Sequence, residues 1–214
     1  MLLMKIVNVM ASSLDGRIGV HDREGDAERL DVGMSNSSDQ DHLRKQIEAS
    51  DAIIVGASSI RANGSCLDHP GKNRKPPVWF IFAQTPIPES FEFWKQKHIR
   101  RVLVSAAALP IVAGSDVENL IYGSADPAMF LALYLRLQNF QRALLFGGGV
   151  VNSWFYNQKL VDQLELTLAP MMIGKPDSPY LVAPALREAV QFLLDSSQIS
   201  ESFVFLSYSV VYRP

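Results

Sequence analysis

The stretch LLFGGGVVNSWF, residues 144–155, is the part of this sequence that decides the fold. An apolar run of strand type ends in three glycines, Gly147–Gly149, and a helical pattern begins directly after them. A helix that starts on a glycine turn presents unpaired backbone N–H groups and the positive end of its dipole, which suits a phosphate. Taken alone the glycines are a weak signal, because the pattern G-x-G-x-x-G would need Asn152 as its third glycine.

Two common nucleotide-binding folds fit this stretch poorly. The Rossmann fingerprint normally follows the first strand of a βαβ unit, whereas these glycines lie late in the chain. Glu165 stands where a ribose-binding acid could be sought, but it lies within an alternating strand pattern. The glycines are not followed by the lysine of a phosphate-binding P-loop, so a P-loop NTPase is excluded.

Composition indicates an ordinary globular protein. The 214 residues are 48% hydrophobic and 20% charged, with a formal net charge of −2, so nothing predicts binding to nucleic acid or to a membrane. Cys66 is the single cysteine, which excludes an internal disulfide and a cysteine-based zinc site and fits a cytoplasmic location. The apolar start of the chain is too short for a membrane span and lacks the basic beginning of a signal peptide.

Short apolar runs alternate with helical patterns along the whole chain, which predicts an α/β fold with a largely parallel sheet. The last two predicted strands alternate strictly between apolar and polar residues, so antiparallel pairing is expected at that edge. No linker or repeat is evident, and one domain over residues 1–214 is predicted. Strands are predicted at 5–11, 51–56, 77–83, 100–105, 118–122, 142–147, 162–170 and 203–212, and helices at 37–50, 126–140 and 150–158.

Two further turns follow predicted strands. In DAIIVGASSI, residues 51–60, a buried strand ends at Gly56 and small residues follow. In ASSLDGRIG, residues 11–19, Asp15 and Arg17 leave the end of the first strand. Because ligands of open α/β sheets bind outside the carboxyl ends of the strands, both turns are candidates for a functional edge. A plain strand-to-helix turn remains the alternative reading for each.

These turns, together with LLFGGGVVNSWFYNQKLVDQLELTLAPMMIG at residues 144–174, resemble in order and spacing the pyrimidine reductases of riboflavin biosynthesis. That family belongs to the dihydrofolate-reductase-like superfamily, and the resemblance spans roughly residues 4–175. It implies a three-layer α/β/α domain with a mixed, mostly parallel central sheet and antiparallel C-terminal strands. It also implies a homodimer in which NADPH supplies hydride to a C=N or C=O of a small substrate, a phosphoribosyl-pyrimidine being one candidate.

The resemblance assigns the cofactor side position by position. The residues implied to bind NADPH lie on the three turns, and Gly147–Gly149 would hold its pyrophosphate. Three arginines, at 100, 101 and 142, are available for its 2′-phosphate. The implied cofactor-binding residues are Ala11, Ser13, Gly56, Ser59, Gly147, Gly148, Gly149 and Val150.

The substrate side departs from the family pattern. Phe146 stands where the family has a glutamate, so a hydrogen-bonding carboxylate is replaced by a ring that can only stack. Asn63, Gly64 and Ser65 stand where an acidic pair and a proline are expected. The candidate substrate-binding residues are Arg61, Asn63 and Phe146. Losing designed hydrogen-bond partners weakens binding of a polar substrate, so the pathway intermediate itself is in question.

Asp15 is the candidate catalytic proton donor, as the acid of a resembling motif at the strand edge; it could instead order a water or only build the turn. The four histidines, at 21, 42, 69 and 98, lack metal-ligand spacing, so no metal site is predicted and they are interpreted as surface or loop residues. Two rival functions stay open. One is a nucleotide-binding protein without catalysis, and the other is a dihydrofolate or pterin reductase, which needs an acid on the first predicted helix.

Overall fold

The computed structural model describes residues 4–212, so the first three residues of the apolar N-terminal segment and the last two residues lie outside it. The described residues form one nine-stranded sheet in the order β5-β4-β3-β2-β6-β1-β7-β9-β8. The strands are β1 Lys5–Ser12, β2 Ala52–Gly56, β3 Val78–Phe82, β4 Arg101–Ser105, β5 Val117–Ile121, β6 Arg142–Gly147, β7 Gln163–Leu168, β8 Gln191–Ser200 and β9 Phe203–Val211. The helices are α1 Asp26–Asp31, α2 Ser37–Glu48, α3 Ala57–Asn63, α4 Pro127–Leu137 and α5 Gly149–Asn157, with 3₁₀ turns at Lys72–Arg74 and Glu92–Trp94.

The sheet is mixed, as the strand patterns predict. Strands β1 to β7 pair with one another in parallel register, from β5 at one edge to β7. Strand β9 pairs antiparallel with β7, and β8 pairs antiparallel with β9. The mostly parallel sheet with antiparallel C-terminal strands is therefore confirmed.

The period of two along the strands separates the core into two layers. On β6, Ala143 and Leu145 pack in a cluster with apolar residues of α4 and α5. Leu144, the residue between them, points to the opposite face and packs with apolar residues of α2 and α3. Helices thus cover both faces of the parallel part of the sheet, which confirms the three-layer arrangement.

Strand β8 was missing from the sequence prediction. Its sequence, QFLLDSSQIS, does not alternate cleanly, and the pairing shifts register between Leu194 and Ser196. Residues 191–199 are all exposed, so no buried face selects apolar residues at every second position. The short helix α1 was missed for a related reason, since none of its residues is buried.

The topology brings three turns together at one edge. Strands β2, β6 and β1 are neighbours in that order and run parallel, so their carboxyl ends at Gly56, Gly147 and Ser12 share an edge. Two helices start there at glycine and have no side-chain cap, α3 after Gly56 and α5 after Gly148. By contrast, the Asp126 side chain caps α4 by accepting from the Met129 N–H at 2.9 Å.

Candidate active site

The two glycine turns face each other across a small cavity. An ideal Cβ on Gly56 would lie 3.7 Å from the Gly147 carbonyl oxygen, and one on Gly148 would lie 4.0 Å from Ser58 Oγ. Between them lies a cavity of about 290 Å³, lined by residues of both helix starts. This short distance between the two turns agrees with the prediction that they lie at one edge of the sheet.

The three consecutive glycines are required for different reasons. Gly147 has φ +36°, and a Cβ there would lie 1.7 Å from Asn152 Oδ1. A Cβ on Gly149 would lie 2.6 Å from the Tyr180 carbonyl oxygen. Gly148, at φ +94°, meets only Ser58 Oγ at 4.0 Å, so open space lies in front of it. Packing within the protein therefore dictates Gly147 and Gly149, whereas at Gly148 only the positive φ, and no close neighbour, opposes a side chain.

A buried amide network holds the glycine turn in place. Asn152 Nδ2 donates to the Leu181 carbonyl at 2.7 Å, and its Oδ1 accepts from Asn8 Nδ2 at 3.3 Å. Asn8 Nδ2 also donates to the Leu145 carbonyl at 2.9 Å, and Asn8 Oδ1 accepts from the Tyr156 hydroxyl at 3.1 Å. Sequence reasoning treated Asn152 only as an imperfect third glycine; its role as the support of the turn was missed.

The start of α5 leaves backbone N–H groups without a side-chain cap. The helix has nine residues, begins at Gly149 and has no side-chain cap, so its first N–H groups lack intrahelical partners. Val150 in the first turn is 48% exposed and lines the small cavity. Backbone N–H groups and a helix dipole at an uncapped, accessible turn fit the pyrophosphate of a dinucleotide cofactor.

A larger cavity of about 660 Å³ lies beside the small one. The two adjoin at α3, where Ser58 lines the smaller cavity and its neighbour Ser59 lines the larger. Ala11, Asn63 and Phe146 also line the larger cavity, as the sequence placed them at one edge. Phe146 is half-buried and makes an edge-on contact with Trp79, with ring centroids 6.4 Å apart.

Carboxylates line the larger cavity at positions that sequence reasoning did not anticipate. They come from the segment before α1, from α1 and α2, and from the loops after α3 and β3: Glu24, Asp26, Asp39, Asp68 and Glu92. Asp39 sits on α2, and its Oδ2 accepts from Ser35 Oγ at 2.7 Å. The larger cavity therefore has an acidic lining although Phe146 and residues 63–65 contribute no carboxylate to it.

His42 is not the surface or loop residue that the sequence predicted. It lies on α2, lines the larger cavity, and its side chain is 22% exposed. Its Nε2 is 3.5 Å from Oε2 of Glu165, a buried carboxylate on β7. Burial lowers the pKa of His42 below its ordinary value, while the charges of Glu165 and Asp39 oppose that shift. The prediction failed because Glu165, the partner of His42, lies far away in the sequence. The alternating pattern of β7 gives no sign that this carboxylate is buried.

Asp15 is held by hydrogen bonds that favour its charged form. Ser13 Oγ donates to Oδ1 at 2.6 Å, and the N–H groups of Ile173 and Gly174 donate at 3.0 and 2.8 Å. These bonds, that from Ser13 first, lower the pKa of Asp15 well below its usual range. Within residues 4–212, Asp15 is not among the residues that line either cavity. The geometry favours the turn-building alternative over proton donation.

Ser13 and Arg61 also have internal partners. Ser13 is buried, and besides donating to Asp15 its hydroxyl accepts from the Arg17 N–H at 3.0 Å. Arg61 lines the smaller cavity, apart from Asn63 and Phe146, and its Nη2 donates to Thr85 Oγ1 at 2.7 Å. Arg61 thus lines a different cavity from Asn63 and Phe146, the other two substrate candidates.

The arginines considered for a 2′-phosphate lie at the edge of the sheet opposite the glycine turns. Arg101 and Arg142 begin β4 and β6, so they sit at the amino ends of parallel strands. Arg101 is fully buried and donates to the carbonyls of Phe93, Ile99 and Ser115. Arg100 forms an ion pair with Glu118, its Nε donating to Oε1 at 2.7 Å. None of the three lies at the carboxyl edge that carries the glycine turns, so the expectation that one of them is available to a phosphate at those turns is corrected.

No three or more His, Cys, Asp or Glu side chains within residues 4–212 are grouped so that they could hold a metal ion. In the same part of the chain, no helix is long and apolar enough to cross a membrane.

The three-layer α/β/α arrangement, with its mixed sheet and antiparallel C-terminal strands, has the dihydrofolate-reductase-like fold, as its likeness to solved structures shows. The chain belongs to the RibD C-terminal domain family, whose model matches residues 4–205. It is therefore a member of the riboflavin-pathway pyrimidine reductases, which are oxidoreductases. The resemblance seen in the sequence is confirmed.

Three known proteins show the extent of the similarity. A 2,5-diamino-6-ribosylamino-4(3H)-pyrimidinone 5′-phosphate reductase of Archaeoglobus fulgidus is 26% identical over 81% of this chain and 83% of its own. The crystal structure of a pyrimidine reductase-like protein of Corynebacterium diphtheriae superposes with a TM-score of 0.82 at 19% identity, covering 98% of this chain and 93% of the other. Dihydrofolate reductase of Enterococcus faecalis, complexed with NADP(H), gives a TM-score of 0.55 at 11% identity and 96% coverage of both chains.

Proposed function

We propose that this protein is an NADPH-dependent reductase that transfers hydride to a C=N or C=O of a small substrate of the phosphoribosyl-pyrimidine class. The observation that carries the proposal is the pair of adjoining cavities at α3. The smaller lies between the uncapped starts of α3 and α5, and the larger is lined by an aromatic ring and several carboxylates. A dinucleotide in the first would place its reactive end toward a ring bound in the second.

Each side of the site has its own task. The N–H groups at the start of α5, beyond Gly148, bind the pyrophosphate, and Arg61 beside the same cavity is the cation we assign to the 2′-phosphate. When bound, the reduced cofactor supplies hydride to an electrophilic carbon. Phe146 stacks on the substrate ring. The amide oxygen of Asn63 and the carboxylates of the larger cavity accept hydrogen bonds from the N–H groups of the substrate.

Ligand-dependent melting tests the cofactor half of the proposal. A ligand that binds the folded state at about 100 times its Kd adds about 2.7 kcal/mol of apparent stability, so NADPH should raise the melting temperature clearly. We expect NADH to raise it less, and FAD and FMN not at all. The difference between NADPH and NADH should shrink in Arg61→Gln. A protein that responds to neither nicotinamide cofactor contradicts the proposal.

Gly148→Leu should abolish the response to NADPH, because a side chain there enters the space in front of the turn. Gly114→Leu is the matched control, since Gly114 also has positive φ, +74°, with no atom within 4 Å of a Cβ. Both variants place a side chain in a strained backbone conformation, so both should melt earlier. Only the first should lose the shift; equal shifts in the two would place the cofactor elsewhere.

Turnover tests the substrate half. NADPH oxidation is followed with 2,5-diamino- and 5-amino-ribosylaminopyrimidine phosphates and with dihydrofolate. We expect oxidation with a phosphoribosyl-pyrimidine. Cofactor binding without turnover on any pyrimidine or pterin would instead support the nucleotide-binding protein that lacks catalysis.

Asp39 favours a pterin reductase as the second candidate function. Such an enzyme requires an acid on the first predicted helix, and Asp39 of α2 lines the larger cavity. A pterin reductase would turn over dihydrofolate faster than any pyrimidine, and Asp39→Asn would remove that activity. The opposite substrate preference supports the first candidate.

The exposed edge strand supports a homodimer, which the family resemblance also implies. Leu193, Leu194 and Ile199 of β8 are 63%, 55% and 72% exposed, and unpaired edge strands with apolar side chains are normally covered. We propose that a second copy covers β8 and that the protein works in the cytoplasm. Light scattering on the purified protein should give twice the mass of one chain. The variant Leu193→Glu should give the mass of a single chain.

A further inference from the structure

The larger cavity contains a paired histidine and carboxylate that the proposed function has not used. His42 of α2 lines the cavity, and its Nε2 lies 3.5 Å from Glu165 Oε2. Among the described residues that line this cavity, His42 is the only histidine. Histidine is the one side chain whose ordinary pKa lets it gain and lose a proton near neutral pH.

Glu165 is itself fixed in place. Its Oε1 accepts from Gln163 Nε2 at 2.5 Å and from Ser207 Oγ at 2.7 Å, while Oε2 faces His42. Strand register pairs Glu165 with Val9 of β1, which lines the cavity. The carboxylate is thus oriented by β7 and β9 and presented to the histidine at the level of the cavity wall.

The imidazole is also fixed. The Phe205 ring of β9 lies with its centroid 5.3 Å from that of His42, tilted by 46°. The charges that act on the ring come from two elements, Glu165 on β7 and Asp39 and Lys45 on α2. Burial lowers the pKa of His42, the two carboxylates raise it and Lys45 lowers it.

We propose that His42 donates the proton in the reduction and that Glu165 positions its imidazole; this inference rests on the proposed function. A hydride from the reduced nicotinamide forms the new C–H bond at the C=N or C=O carbon of the substrate. The π electron pair moves to the nitrogen or oxygen, which takes a proton from the His42 imidazolium. The nicotinamide leaves oxidised, and solvent reprotonates the neutral imidazole.

The first test is the turnover number of His42→Gln. Removing a general acid lowers kcat by about 100-fold or more, and we expect a loss of that order with an unchanged thermal response to NADPH. His69→Gln is the matched control. His69 is 20% exposed and its Nε2 lies 3.1 Å from Glu48 Oε1, yet it does not line the cavity. The control should keep the wild-type kcat.

The second test is the pH dependence of kcat, because a residue with a merely structural role would not shift the pH profile. The donor must be protonated, so kcat should fall as pH rises through the His42 pKa. Glu165→Gln removes a charge that raises this pKa, so the falling limb should move to lower pH. NMR titration of the His42 ring in the cofactor-free protein should show the same displacement, independently of activity. This pair of measurements also decides the proposal if His42→Gln does not fold.

The outcomes are distinguishable. A wild-type protein that oxidises no NADPH with any tested substrate overturns the proposed function, and the proton donor with it. If the wild type is active and the kcat of His42→Gln lies within about twofold of the wild-type kcat, the loss is far smaller than removal of a general acid causes. That result overturns the proton-donor role of His42 and leaves the proposed function standing. A Glu165→Gln variant that leaves both the pH limb and the NMR titration in place overturns the positioning role.

Discussion

The glycine turn and the larger cavity are adjacent, yet different constraints determine their residues. At the turn, packing within the protein dictates the sequence, since a Cβ on Gly147 or Gly149 would collide with Asn152 or with the Tyr180 carbonyl. In the larger cavity, Phe146 and Asn63 each have an internal partner, Trp79 for the ring and the Asp26 N–H for the amide oxygen, yet both also line the space where a ligand would lie. The turn can therefore persist in a protein that has changed its substrate, whereas the cavity cannot.

This contrast explains why the two halves of the family resemblance differ in quality. Glycines that the fold itself needs report on architecture more than on reaction. Phe146, where the resemblance expects a glutamate, lines the larger cavity and lies in an intact strand β6. Substrate identity must accordingly be sought in the cavity-lining residues, with Asp39 and His42 of α2 among them.

The largest effect should come from adding one methyl group to the turn. Gly147→Ala places a Cβ 1.7 Å from Asn152 Oδ1 at φ +36°. Overpacking and backbone strain each destabilise by about 1–3 kcal/mol, so the free energy of unfolding should fall by about 3–5 kcal/mol. Chemical denaturation measures it. Gly114→Ala, also at positive φ but with open space around its Cβ, should lose only about 1 kcal/mol. Equal losses would contradict the packing argument.

A double-mutant cycle sharpens the same prediction. In an Asn152→Ala background the colliding amide is gone, so Gly147→Ala should destabilise by less than it does in the wild type. The coupling energy should be about 1–3 kcal/mol, the range found for residues in contact. Additive effects would mean that backbone strain at Gly147, and not Asn152, excludes a side chain there.

An intermediate effect is expected on the cavity side. Phe146→Leu keeps an apolar side chain but removes the ring, and base–aromatic stacking contributes about 1–3 kcal/mol. The KM for the pyrimidine substrate should rise about tenfold, the equivalent of about 1.4 kcal/mol, while the thermal shift with NADPH stays unchanged. Phe140→Leu is the control and should alter neither value, because Phe140 lies between α4 and β6 and packs on the other face of the sheet. Loss of the NADPH response in Phe146→Leu would erase the distinction between the two regions.

Sequence reasoning succeeded where the relevant physics is local. The strand that ends at Gly147 and the helix start after it follow from a short apolar run, positive-φ glycines and a period of 3.6. It failed at Asn152 and His42, whose roles depend on Asn8 and Glu165, partners from distant strands. It failed again at β8, because an exposed edge strand lacks the buried face that produces a readable pattern.

The smallest expected effect concerns Asp15, the residue that joins the first turn to the loop before Gly174. Hydrogen bonds from Ser13, Ile173 and Gly174 hold the pKa of Asp15 below its ordinary value of 3.8 in the folded state. Its contribution to stability is therefore present above pH 3.8 and is lost as pH falls below that value toward the folded pKa.

Asp15→Asn lacks this contribution, so wild type and variant should differ in melting temperature at about pH 6 and converge toward about pH 2. Asp22→Asn, at an exposed aspartate of the next loop, is the matched control for removal of one carboxylate. If Asp15→Asn instead abolishes turnover without changing the acid dependence of stability, the residue acts in catalysis and the turn is not merely structural.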